Sequence, residues 1–100
     1  MIALKNAVFM LSLLFFVEGA PQSRFMFPGQ RLYEKNCSFC HGKVGDRQRF
    51  GAKNLRVSRA GDSALFTIIS KGLNRMPAWS STFSDREIHD VIQYIKTLRS

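Results

Sequence analysis

Residues 37–41 read Cys37-Ser38-Phe39-Cys40-His41, the spacing of covalent c-type haem attachment. Two thiols three positions apart on a helical turn can each add to one of the two haem vinyl groups as a thioether. His41, the next residue, is then held under the iron and supplies an imidazole ligand. Other uses of the pair fit less well. A zinc site wants four ligands, and the one further candidate is His89, which lies off the apolar stripe of its helix and reads as a solvated surface histidine. A thioredoxin-like redox pair needs a βαβ context, and no run alternates with a strand period over a useful length. As a disulfide the pair would close a tiny loop and stabilise little.

Outward from this motif, the next question is a second axial ligand. Of the four methionines, Met1 and Met10 lie in the apolar N-terminal run, and Met26 precedes the helix that leads into Cys37. Met76 lies 35 residues beyond His41, within Lys71-Gly72-Leu73-Asn74-Arg75-Met76-Pro77-Ala78-Trp79. A thioether from a loop is a common partner to histidine in c-type sites and raises the reduction potential. Pro77 biases Met76 to an extended backbone and limits the loop's freedom. The alternative is a core methionine.

Three helices frame these residues. The first is expected to start near Pro28, which suits an opening helical turn, and to carry Leu32, Tyr33 and Lys35 into Cys37. The second follows Gly61-Asp62-Ser63 with Asp62 as N-cap and Gly72 as its C-terminal stop, turning Leu65, Phe66, Ile68, Ile69 and Leu73 inward. The third opens on Ser84-Asp85-Arg86-Glu87, a capping box flanked by Phe83 and Ile88 at hydrophobic-staple positions. Ile88, Val91, Ile92, Ile95 and Leu98 then repeat with helical spacing. The chain therefore reads as all-α, with a long irregular stretch from Gly42 to Ala60.

Length and composition close off other classes. The chain has 100 residues, room for a single domain. Fifteen of the first 20 residues are apolar but only 30 of the other 80, so the domain needs a metal or bulky cofactor to complete its core. Two cysteines cannot form a disulfide framework. At the N-terminus, Lys5 is followed by an 11-residue apolar run, Ala7 to Val17, and then by Glu18-Gly19-Ala20-Pro21. This is the pattern of a cleaved export signal, residues 1–19, rather than of a spanning helix, which needs about 20 apolar residues. Residues 20–27 form a lead-in and 28–100 the folded domain. Lys5 and Glu18 leave together, so the net charge of +8 is kept.

Across residues 28 to 98 the chain resembles a short bacterial class I monohaem c-type cytochrome. The resemblance rests on Gly29-Gln30-Arg31-Leu32-Tyr33 ahead of Cys37, on Leu55 14 residues after His41, on Met76-Pro77-Ala78-Trp79, on Phe83-Ser84-Asp85 and on Tyr94. It implies three main helices packed around one covalently attached haem c. Cys37 and Cys40 would form the thioethers, His41 and Met76 would be the axial iron ligands, and Leu55 and Trp79 would pack on the haem. It also implies that Gly29 lets the terminal helices cross and that Tyr94 packs there. Phe39 and Phe66 would help to exclude water. One departure is Lys53, where the family often has a proline whose carbonyl accepts the ring N–H of the proximal histidine; here the Lys53 carbonyl would take that part.

The resemblance implies one-electron transfer between redox partners by ferric/ferrous cycling in the periplasm, not catalysis. Eight basic residues between Lys43 and Arg75 face only Asp46 and Asp62. That stretch reads either as a solvated face or as a docking surface for an acidic redox partner. Nucleic-acid binding does not suit an exported haem protein, and stable membrane insertion is not expected after cleavage. Two further readings stay open: a haem subunit of a periplasmic dehydrogenase or oxidase complex, and a gas-binding or peroxidatic haem protein if Met76 is not bound.

Overall fold

The capping box forms as its pattern predicts. Glu87 N–H donates to Ser84 Oγ at 3.1 Å, and Ser84 N–H donates to Glu87 Oε1 at 2.9 Å. Such a cap contributes about 1 kcal/mol. It starts the longest helix of the computed structural model, which describes residues 26–100. The expected export segment, and the lead-in up to residue 25, lie outside the described residues. In chain order the helices are α1 (Gln30–Asn36), α2 (Ser38–His41), α3 (Asp62–Lys71) and α4 (Asp85–Thr97), with one 3₁₀ turn at Arg49–Gly51. No strand occurs among the described residues, only an isolated bridge between Leu73 and Met76. The all-α reading is met.

Helix α4 is the centre of the packing. It contacts both α1 and α3, and its Ile88, Val91, Ile92, Tyr94 and Ile95 are buried. Tyr33 of α1, Leu65 and Ile69 of α3, Leu55 and Phe83 complete the core. The helical stripe read from the sequence is thus the buried one, with Leu98 half-buried at its end.

The crossing of α1 and α4 depends on Gly29. Its φ is +82°, and a Cβ placed there would collide with the carbonyl of Asp90 and come within 2.7 Å of the Val91 nitrogen. Only glycine allows the two backbones to approach so closely. Just inside this crossing, the rings of Tyr33 and Tyr94 lie 5.3 Å apart, and Phe27 sits 6.1 Å from Tyr94.

Three sequence expectations are corrected. Helix α1 begins at Gln30 with Gly29 as its N-cap, because the left-handed φ of Gly29 cannot belong to a helix. Pro28 therefore sits in the turn before the helix rather than in its first turn. In α3 the N-cap is Gly61, not Asp62. The Asp62 carboxylate reaches α4 instead, accepting from Lys96 Nζ at 3.0 Å and Gln93 Nε2 at 3.2 Å. The Lys96 bond holds that carboxyl below the usual aspartate range. Leu73 does not turn into the helical core; it lies beyond Gly72, where the helix stops, and is 52% exposed.

Replacing Gly29 with alanine is expected to lower stability by on the order of 3 kcal/mol, the sum of left-handed strain and overpacking against α4. Thermal unfolding of the haem-loaded protein checks this. Gly51→Ala is the comparison, with a similar φ of +82° but no atom within 4 Å of the added Cβ, and is expected to show the strain alone.

Candidate functional site

The motif residues sit at the end of a nearly continuous helical run. Cys37 N–H donates to Tyr33 O at 2.8 Å and His41 N–H to Cys37 O at 3.0 Å, so α2 carries on the turn begun by α1. Cys37 and Cys40 are thus one turn apart, on one side of the run, and neither is in a disulfide. Burial, and then the neighbouring Cys40, push the Cys37 thiol up to about 12, which keeps it protonated at neutral pH.

Helix α2 stops at Gly42, whose carbonyl accepts from the Tyr33 hydroxyl at 2.7 Å. Tyr33 is fully buried, and this bond is its polar anchor. Burial raises the Tyr33 phenol well above its ordinary value, so it remains a donor. Beyond Gly42 the chain folds back on itself: Arg47 N–H donates to His41 O at 2.9 Å, and Leu55 N–H to Gly45 O at 2.7 Å. This closure brings the Lys53 carbonyl to 3.0 Å from His41 Nδ1. A carbonyl oxygen only accepts, so Nδ1 carries the proton and Nε2 keeps its lone pair. Burial lowers the His41 pKa, opposed by the Lys53 bond. The imidazole is therefore neutral at pH 7 and able to ligate a metal through Nε2.

The loop that bears Met76 is equally defined. Leu73 and Met76 exchange backbone hydrogen bonds of 3.1 and 2.9 Å around Asn74, whose φ is +53°. Gly72 lies beneath this turn with φ +78°, its would-be Cβ 2.7 Å from Met76 O and 2.9 Å from Ala78 N. Trp79 N–H then ties the loop to α3 by donating to Ile69 O at 2.9 Å. Trp79 stacks on Phe83 with centroids 5.1 Å apart.

Cys37, Cys40, His41, Met76 and Trp79 line one cavity of about 350 Å³, within the size range of cofactor pockets, roughly 300–1,000 Å³. The donor set suits an iron porphyrin: two thiols for the vinyl groups, a neutral imidazole, and a soft thioether on the same wall. Leu55 is not on that wall. It is buried in the helical core, where the loop from Gly42 closes. Phe66 is also elsewhere, stacked on His89 with centroids 4.9 Å apart. His89 is exposed in that stack and does not reach the cavity. Among the described residues no three His, Cys, Asp or Glu side chains are grouped to hold a metal ion. Met26 is exposed at the edge of the described chain and does not line the cavity.

The sequence reading did not foresee two contributors to the rim, Arg49 and Phe50. Residues 48–51 offered no periodicity to read, and Gly51 was the only signal of a turn there.

Comparison with known proteins agrees with this site. The model of the family described as "Cytochrome C oxidase, cbb3-type, subunit III" matches residues 26–95. Cytochrome c6 of Bumilleriopsis filiformis is 32% identical over 73 residues, covering 67% of this chain and 84% of that protein. Cytochrome c6 of Alaria esculenta is 27% identical over 75 residues, covering 69% and 86%. Among solved structures, the KustC0563 c-type cytochrome superposes with a TM-score of 0.67 at 18% identity, over 72% of this chain and 98% of that one. That structure shares the fold.

Tyr33→Phe is expected to cost about 1–3 kcal/mol, because the buried Gly42 carbonyl loses its partner while the ring packing stays. Denaturant unfolding monitored by helical circular dichroism checks it. The midpoint should fall with an unchanged slope.

Proposed function

The chain belongs to the family described as Cytochrome C oxidase, cbb3-type, subunit III, as a small monohaem c-type cytochrome carrying haem c, and from that membership we propose that it is an exported carrier of single electrons between redox proteins. The observation that carries this reading is that the cysteine pair, His41 and Met76 line one cavity. When bound, haem c supplies an iron that gains and loses one electron.

In this proposal Cys37 and Cys40 hold the group through thioethers, and His41 binds iron through Nε2, oriented by its Nδ1–H bond to Lys53 O. Met76 is the second axial ligand, presented by a loop that Gly72 and the Leu73 bonds restrain. With both axial positions taken by protein, small molecules have no ready access to the metal, which favours outer-sphere transfer over catalysis. Trp79 on the cavity wall keeps water out, and Leu55 supports the loop that holds Lys53.

The setting is proposed from the sequence. The signal pattern of residues 1–19 supports export to the periplasm. Among the described residues no helix is long and apolar enough to cross a membrane. The net charge of +8 favours redox partners with acidic surfaces. The name of the matched family favours a second reading, a haem subunit within an oxidase complex. A stoichiometric complex on purification from the native source would select that reading over the free carrier.

Two experiments test the proposal. Met76→Ala is expected to retain covalent haem, lower the reduction potential and admit carbon monoxide to the ferrous form. Met26→Ala is the matched control and should change none of these. A Met76→Ala protein that keeps the wild-type potential and stays closed to carbon monoxide would place the ligand elsewhere. Separately, chain expressed without residues 1–19 should lack covalent haem by mass and melt without cooperativity, because its own apolar inventory is small. A cooperative melt of that haem-free chain would refute the expectation.

A further inference from the structure

Beside the cavity, the rings of Phe39 and Phe50 stack with centroids 6.0 Å apart and planes at 30°. Both stay open to solvent, at 60% and 56%. The Arg49 guanidinium lies 4.9 Å from the Phe39 centroid. The backbone under this group is strained. Phe50 has φ 57° and ψ 28°, and Gln48 has φ 56° and ψ 30°. A bulky residue in the left-handed region costs on the order of 1–3 kcal/mol. Burial does not repay that strain, because the ring remains more than half exposed. Aromatic side chains and arginine held open in this way are the usual anchors of protein interfaces.

We infer that Phe39, Phe50 and Arg49 form the anchor of a docking surface for an acidic redox protein whose contact is an apolar patch ringed by carboxylates. The inference rests on the electron-carrier reading above and adds the place and chemistry of contact. Charge selects the partner. Arg47 approaches the Phe39 carbonyl, Lys53 and Arg75 line the same cavity, and all three are exposed. Asp46 is the one carboxylate between Gly42 and Gly61. The cations steer the encounter, and the stacked rings supply the desolvated centre that charge alone lacks. Because Phe39 lies between Cys37 and Cys40, a partner seated on these rings sits against the cofactor-bearing turn.

The test uses the haem-loaded protein on gold electrodes coated with carboxylate-terminated thiols, either alone or mixed with methyl-terminated thiols. Wild type should give a one-electron wave on both and bind the mixed layer more tightly. Phe50→Gly removes the ring and relieves the strain, so its melting temperature should hold or rise while its affinity for the mixed layer falls at least about fivefold. Phe50→Asn, also tolerant of a left-handed φ, should behave alike. Val57→Ser, at a residue 62% exposed but outside the cavity lining, should bind as wild type does. A normal wave with Phe50 variants indistinguishable from wild type overturns the docking surface and leaves the carrier reading intact. No wave from wild type on either layer overturns the carrier reading itself. Phe50-dependent binding of anionic phospholipid vesicles or oligothymidine, tighter than that of the mixed layer, would overturn the protein partner in favour of a lipid or nucleic-acid one.

Discussion

The hydrogen bond from His41 Nδ1 to the Lys53 carbonyl joins residues twelve apart and sets the terms for the rest of the site. It requires the chain after Gly42 to turn back toward the helix it has just left, which the Arg47–His41 and Leu55–Gly45 backbone bonds accomplish. It also settles the tautomer, leaving Nε2 as the lone-pair nitrogen. The acceptor is a backbone atom, so the residue type at position 53 matters little to the bond itself. A lysine does there what a proline does elsewhere in the family, and it adds an exposed cation at the cavity edge.

The same economy runs through the scaffold. Ten buried hydrophobic residues make up the described core, nearly all on or against α4. That core orients α1 and α3 but does not extend to the cavity, whose wall is built from the motif turn, the loop of residues 49–53 and the Met76 loop. Each of these is restrained by backbone hydrogen bonds and by glycines in left-handed conformations rather than by packing. A site made in this way holds its donors in place with few side chains, and the cofactor itself becomes the remainder of the core.

Charge and strain are distributed unevenly over the surface. The final helix begins with acidic residues and ends with Lys96, as its dipole favours, and Lys96 also pairs with Asp62. The cations of the irregular stretch, in contrast, have few carboxylates near them in sequence, and the two strained non-glycine residues of its 3₁₀ turn stand among them. Local order is thus given up where the surface is most cationic and most apolar.

Helix positions and the attachment motif were legible in the sequence because their signals are local. The capping box, the apolar stripe of α4 and the Cys37–His41 spacing each lie within a few turns of chain. The errors fell at boundaries and directions, where a neighbouring element decides. Asp62 had the right chemistry for an N-cap, but Lys96 and Gln93 of α4 offered its carboxylate other partners. Leu73 had the right spacing to continue the α3 face, but the stop at Gly72 swung it to the cavity. Leu55 and Phe66 were legible as apolar residues but not as core and surface-stack positions away from the cavity wall. By itself, then, the sequence determined the helices, the cofactor and the donor atoms, since these follow from residue type and short spacing. Only the tertiary structure decided which nitrogen of His41 is free, that Met76 shares a cavity with the cysteines, and that Phe39 meets Phe50, because each is a contact between segments whose approach depends on how the chain folds back.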